Sequence, residues 1–154
     1  MSVLVVLGSK SDKKVGDKAV DILNQFGLDS RMIVASAHRS PDYMRSEIEK
    51  SDAKVIIAVA GLSAALPGAV ASQTTRPVIG VPVSGKISLD SLLSIVQMPP
   101  GIPVAAVGLD RGENAALLAV EILALSDDQL REKLKRHREK LKEWILEDSR
   151  SIGD

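Results

Sequence analysis

The sequence predicts an α/β protein, a three-layer αβα sandwich on a doubly wound parallel sheet with an added C-terminal helix. Two observations predict it. Apolar runs bounded by Gly, Ser or Pro recur at residues 3–7, 32–35, 54–60, 77–83 and 103–107, and helical patterns lie between them. The cores of these runs are continuous rather than alternating, as strands covered on both faces require. The first run, Val-Leu-Val-Val-Leu, is too short to span a membrane and lacks a preceding basic segment, so it reads as a buried strand of a cytoplasmic protein. Val15, Ala19, Ile22, Leu23 and Phe26 then fall at helix spacing and end at Gly27, a natural C-cap. After the second run, Ser40-Pro41-Asp42 supplies an N-cap, a first-turn proline and a first-turn acid. Residues 63–73 are rich in Ala and other small residues and predict a closely packed helix. Two more helices are predicted over 89–98 and 113–125. Strand–helix alternation throughout implies parallel strands with helices on both faces.

Residues 126–154 differ, and no strand follows them. Ser126-Asp127-Asp128-Gln129 has the pattern of a capping box. Leu130, Leu134, Leu141, Trp144 and Ile145 then form one apolar stripe on a strongly charged helix. Two readings stand for it: a helix lying back on its own domain, or an arm docking on a neighbouring subunit. Residues 1–125 are expected to form one α/β domain and 126–154 its helical extension.

Composition removes several classes of function. The 154 residues carry a formal net charge of zero, so no field favours nucleic acid or an anionic membrane. Phe26, Tyr43 and Trp144 are the only aromatic residues, too few for a base-stacking platform. The absence of Cys excludes disulfides, thiol catalysis and thiolate-bound metals. The two histidines are far apart and no acidic cluster has ligand spacing, so no metal site is expected.

Two segments carry chemistry. Gly8-Ser9-Lys10-Ser11-Asp12 and Ser36-Ala37-His38-Arg39-Ser40-Pro41 each follow an apolar run and open a helix. Ligands of parallel α/β sheets bind at the carboxyl ends of strands, where helix N–H groups favour a phosphate. The first segment has small residues that admit a ligand and hydroxyls that can donate to it, yet it has neither Walker A nor Gly-x-Gly-x-x-Gly spacing. In the second, an imidazole can give and take a proton near neutral pH, and Arg39 can grip a phosphate or carboxylate with two prongs. His137 sits within Lys135-Arg136-His137-Arg138 and reads as part of a solvated helix face. Gly61-Leu62-Ser63-Ala64-Ala65-Leu66-Pro67-Gly68 offers mainly backbone groups, suited either to a flat heterocycle or to a tight turn. Ser84-Gly85-Lys86 and Asp90-Ser91 either close the pocket or are simply solvated.

These segments, with Leu66-Pro67-Gly68 and Asp90-Ser91-Leu92-Leu93-Ser94-Ile95-Val96-Gln97-Met98-Pro99, resemble the N5-carboxyaminoimidazole ribonucleotide mutase family of purine biosynthesis. The resemblance runs in order from Val3 to about Leu125. It implies a flavodoxin-like sandwich, a homo-octamer, a small ribonucleotide substrate and no cofactor. It further implies that Ser11, Ser36 and Arg39 bind the ribose 5′-phosphate and that Asp12 accepts from the ribose hydroxyls. Ser9 and the backbone around Ala60, Gly61 and Leu66 would hold the imidazole and the migrating carboxylate, with His38 as the acid–base residue.

The third segment departs from the family. Its mutases usually show Gly-Gly-Ala-Ala-His-Leu-Pro-Gly, and Ala65 stands here in place of that histidine. The related class that carboxylates aminoimidazole ribonucleotide directly with CO2 also lacks it and has Ser and Ala where Ser63 and Ala65 stand, but usually has Arg at the position of Leu62, so the segment is intermediate. Carboxylate migration and direct carboxylation therefore both remain open. A flavodoxin-like module binding a phosphorylated ligand is a remoter reading, since so few aromatics leave little to cover a flavin. A non-catalytic assembly protein is another, and it predicts that His38 is dispensable.

Overall fold

A computed structural model describes residues 1–152. Five strands, β1 (Val3–Leu7), β2 (Ser30–Val34), β3 (Val55–Ala60), β4 (Val78–Pro82) and β5 (Ala105–Ala106), form one sheet in the order β2-β1-β3-β4-β5. Every pairing is parallel, with Val5 opposite Met32 on one side and Ile57 on the other. Among the described residues six α-helices occur: α1 (Lys13–Phe26), α2 (Pro41–Lys50), α3 (Leu66–Ala71), α4 (Ser88–Val96), α5 (Gly112–Leu123) and α6 (Asp128–Ile152). This is the flavodoxin-like doubly wound arrangement, whose strand order reverses between β1 and β3.

Strand side chains alternate between the two faces of the sheet. Leu4, Val6, Ile56, Ala58 and Ala60 share a buried cluster with Met44 and Ile48 of α2, Leu66 and Val70 of α3, and Ile95 of α4. On the other face, α1 approaches so closely that a Cβ on Gly16 would lie 2.7 Å from a Leu7 methyl. All residues of β1 and β3 are buried, and each large aliphatic side chain there contributes about 1.5–3 kcal/mol relative to exposure.

The edges depart from the expectation of uniform cover. Arg31 and Val34 of β2 are exposed, as are both residues of the two-residue β5. These strands end the sheet, so each has a neighbour on one side only. Helix α1 ends as predicted, with Gly27 in the left-handed region at φ 75°. Ser40 precedes α2 but does not cap it through its side chain; its Oγ instead accepts from Ser36 N at 3.0 Å. The helix expected over 63–73 is only Leu66–Ala71; at its start Ser63 has φ 50° and cannot continue a right-handed turn.

The described chain separates into two compact units, Met1–Ala119 and a second beginning at Val120. Within the second, Asp127 rather than Ser126 caps α6: its Oδ1 accepts from Gln129 N at 2.9 Å and Leu130 N at 3.1 Å. Ser126 Oγ donates to Leu123 O instead. Leu130 is buried, whereas Leu141, Trp144 and Ile145 of the apolar stripe are exposed. Among the described residues no helix is long and apolar enough to cross a membrane.

Candidate active site

The strand order reverses between β1 and β3, and there the loops leaving β1, β2 and β3 diverge and leave a cavity of about 360 Å³. The structure brings all nine sequence-predicted site residues to its wall: Ser9, Ser11 and Asp12 from the first loop, Ser36, His38 and Arg39 from the second, Ala60, Gly61 and Leu66 from the third. Gly8, Ala37, Leu62, Ser63 and Ala65 complete the lining. These five lay within the motifs, but only their placement distinguishes them from loop residues that turn away. Ser84 and Lys86 are exposed and do not line the cavity, and His137 lies on α6.

The first loop is organised by its own hydroxyls. Ser9 is extended and its Oγ accepts from Ser11 N at 3.4 Å, starting a 3-10 turn that leads into α1. The second loop is tied to the first by Arg39. Its Nη2 donates to Gly8 O at 3.2 Å, and its Nε donates to Ser36 Oγ at 3.3 Å. Arg39 and His38 are both exposed, so a positive group and an imidazole stand at one mouth.

Asp12 is the contrast, being only 5% exposed. Burial raises its carboxyl above the ordinary 3.8, opposed by the Ser11 hydroxyl bond, the Ser9 backbone and the Arg39 charge. Ser11 Oγ donates to Asp12 Oδ1 at 3.2 Å. Below 3.8 folded and unfolded chains are both protonated, and as pH rises through the folded value the buried charge costs stability. Asp12→Asn is therefore expected to melt higher than the parent protein at neutral pH. Thermal melts from pH 3 to 8 check this, and the advantage should shrink as pH falls towards 3.8.

The third loop is held from a distance. Ser63 N donates to Asp90 Oδ2 at 2.6 Å across 27 residues of sequence. Ser84 N of the next loop likewise donates to Asp110 Oδ1 at 2.9 Å. Neither partnership has a sequence signal, because donor and acceptor belong to different strand–helix connections.

Fold and cavity together define an α/β protein with a small-molecule site at the carboxyl edge of its sheet, equipped with hydroxyls, a carboxylate, a guanidinium and an imidazole. More specifically, the chain belongs to the AIR carboxylase family, whose model matches residues 2–144. It is 54% identical over 153 residues to the N5-carboxyaminoimidazole ribonucleotide mutase of Methanocaldococcus jannaschii, covering 99% of this chain and 98% of that one. The mutase of Bacillus subtilis is 47% identical over 152 residues, covering 94% of each chain. The crystal structure of Treponema denticola PurE superposes with a TM-score of 0.87 at 30% identity, covering 97% of this chain and 96% of that one.

Proposed function

We propose that this chain is an N5-carboxyaminoimidazole ribonucleotide mutase, an isomerase of purine biosynthesis that moves a carboxylate from the exocyclic nitrogen to C4 of the imidazole. The observation that carries the reading is the convergence of His38, Arg39, Asp12, Ser9, Ser11 and Ser36 on one cavity, in a chain nearly coextensive with relatives of that name.

In this reading Ser11, Ser36 and Arg39 hold the 5′-phosphate, and Asp12 accepts from the ribose hydroxyls. Ser9 and the backbone of Ala60, Gly61 and Leu66 hold the ring and the carboxylate. His38 delivers a proton to the exocyclic nitrogen as the N–C bond of the carbamate breaks and CO2 is released. C4 then attacks the retained CO2, and His38, now neutral, removes the C4 proton. The same imidazole thus gives and recovers one proton. Holding CO2 beside C4 replaces an encounter with dilute CO2 by a step within one complex. Residues 1–125 carry this chemistry, and the chain from residue 126 is an extension that includes α6. A cytoplasmic homo-octamer is part of the proposal, and the exposed Leu141, Trp144 and Ile145 give α6 an apolar face for such assembly.

The test compares two starting materials. Freshly made carbamate with CO2 scavenged should be converted rapidly to 4-carboxyaminoimidazole ribonucleotide. Aminoimidazole ribonucleotide with bicarbonate and CO2 should not. The reverse pattern would assign direct carboxylation, and product from neither would remove the enzyme reading. Arg39→Ala is expected to raise KM about 10–100-fold with kcat nearly unchanged, since a charge-assisted bond to a non-reacting phosphate is equal in ground and transition states. Steady-state kinetics check it; a fall in kcat alone would move Arg39 away from the phosphate.

A further inference from the structure

We propose that Asp90 is a positioning residue that latches the third loop into its working shape and thereby keeps CO2 in the cavity. The inference rests on the mutase reading and extends it to a residue that does not line the cavity.

Ser63 lies in the left-handed region at φ 50°, where a residue with a Cβ is strained. Ala60 and Leu66 anchor the loop's two ends in the core, but between them Leu62, Ser63 and Ala65 are exposed and only Ala64 is buried, so apolar packing does little to hold the turn itself. The Asp90 carboxylate supplies the hold by accepting from Ser63 N at 2.6 Å. Asp90 lies in the first turn of α4, where a carboxylate is also favoured by the helix dipole. It is itself firmly based: the neighbouring Ser91 is 1% exposed, and its Oγ donates to Val83 O at 3.1 Å and Ser88 O at 2.9 Å. The grip therefore passes from the exit of β4 through α4 to the strained turn after β3.

That turn supplies Gly61, Leu62, Ser63, Ala65 and Leu66 to the cavity, the wall assigned to the ring and the migrating carboxylate. The phosphate end, built by Ser11, Ser36 and Arg39, lies on other loops. Releasing the latch should consequently spare substrate affinity and let CO2 escape between the two halves of the reaction.

The experiment uses the full chain with Asp90→Ala and Asp90→Asn. Asp90→Ala is expected to lower kcat about tenfold or more with KM within about threefold, because displacement of a wall by even 1 Å weakens a proximity effect. It should also divert part of the carbamate to aminoimidazole ribonucleotide when CO2 is scavenged, measured against the no-enzyme rate. Asp90→Asn retains an acceptor oxygen and should recover kcat to within about threefold of the parent protein, because a neutral acceptor keeps about half the strength of a charged one. Hydrogen-exchange mass spectrometry of the free protein gives a readout independent of activity: the peptide containing Ser63 should exchange about tenfold faster in Asp90→Ala than in the parent protein. Unchanged exchange in Asp90→Ala overturns the latch. Equal loss of kcat in both variants, or a loss confined to KM, overturns the positioning role. Should Asp90→Ala fail to fold, Asp90→Asn decides: near-parental kcat and exchange support the latch, and a tenfold loss overturns it. A parent protein inactive on the carbamate would remove the mutase reading, while the exchange result would still decide the latch.

Discussion

His38→Asn is expected to lower turnover of the carbamate by about 10²–10⁴-fold, the range for a lost general acid–base group. Asparagine keeps hydrogen-bonding capacity but cannot shuttle a proton at neutral pH. The side chain is exposed at the mouth of the cavity, so the change should leave the fold and its melting temperature nearly untouched. Because the phosphate contacts are assigned to Ser11, Ser36 and Arg39, substrate affinity should also persist. Equilibrium binding and single-turnover kinetics separate these quantities. A variant with undiminished turnover would take the acid–base role away from His38 and leave it to another group of the cavity.

The second large effect concerns stability. Gly112→Ala is expected to destabilise the protein by about 3 kcal/mol, at the upper end of the range for overpacking. An added Cβ would clash with Val15 O and lie 3.3 Å from Ala19 N, both backbone atoms of α1. Backbone cannot rotate aside, so one helix must move. Gly16→Ala is the informative comparison, since its Cβ would meet only the ends of the Leu7 and Met32 side chains at 2.7 and 2.8 Å. Those ends can turn, and alanine gains helix propensity of about 1 kcal/mol over glycine. Denaturant melts should place Gly16→Ala well above Gly112→Ala, with a fall of roughly 6–12 °C in melting temperature for the latter.

Legibility in the sequence followed the range of the interaction responsible. β1, β3 and β4 were visible because burial on both faces writes a continuous apolar run. The C-cap at Gly27 was visible because a left-handed turn selects glycine locally. The start of α3 is not legible in the sequence, since an Ala-rich stretch has helix propensity while the left-handed turn at Ser63 is bonded to Asp90, 27 residues on. The cap of α6 was displaced by one residue for a subtler reason. Ser126 and Asp127 are both good caps, and only the geometry of the preceding 3-10 turn over Ala124–Ser126 hands the role to Asp127. The nine candidate site residues were legible as motifs, but their convergence depends on the strand order, which no single segment encodes.

Asp90 grips a backbone N–H rather than a side chain. Side-chain identity in the third loop is thus uncoupled from loop shape, apart from the left-handed angle at Ser63, which glycine, asparagine and aspartate tolerate best. Leu62 is 74% exposed, so it too can change without loss of core packing. Positions 62, 63 and 65 therefore form a natural library for redesigning what the cavity accepts, with the scaffold that presents them left intact.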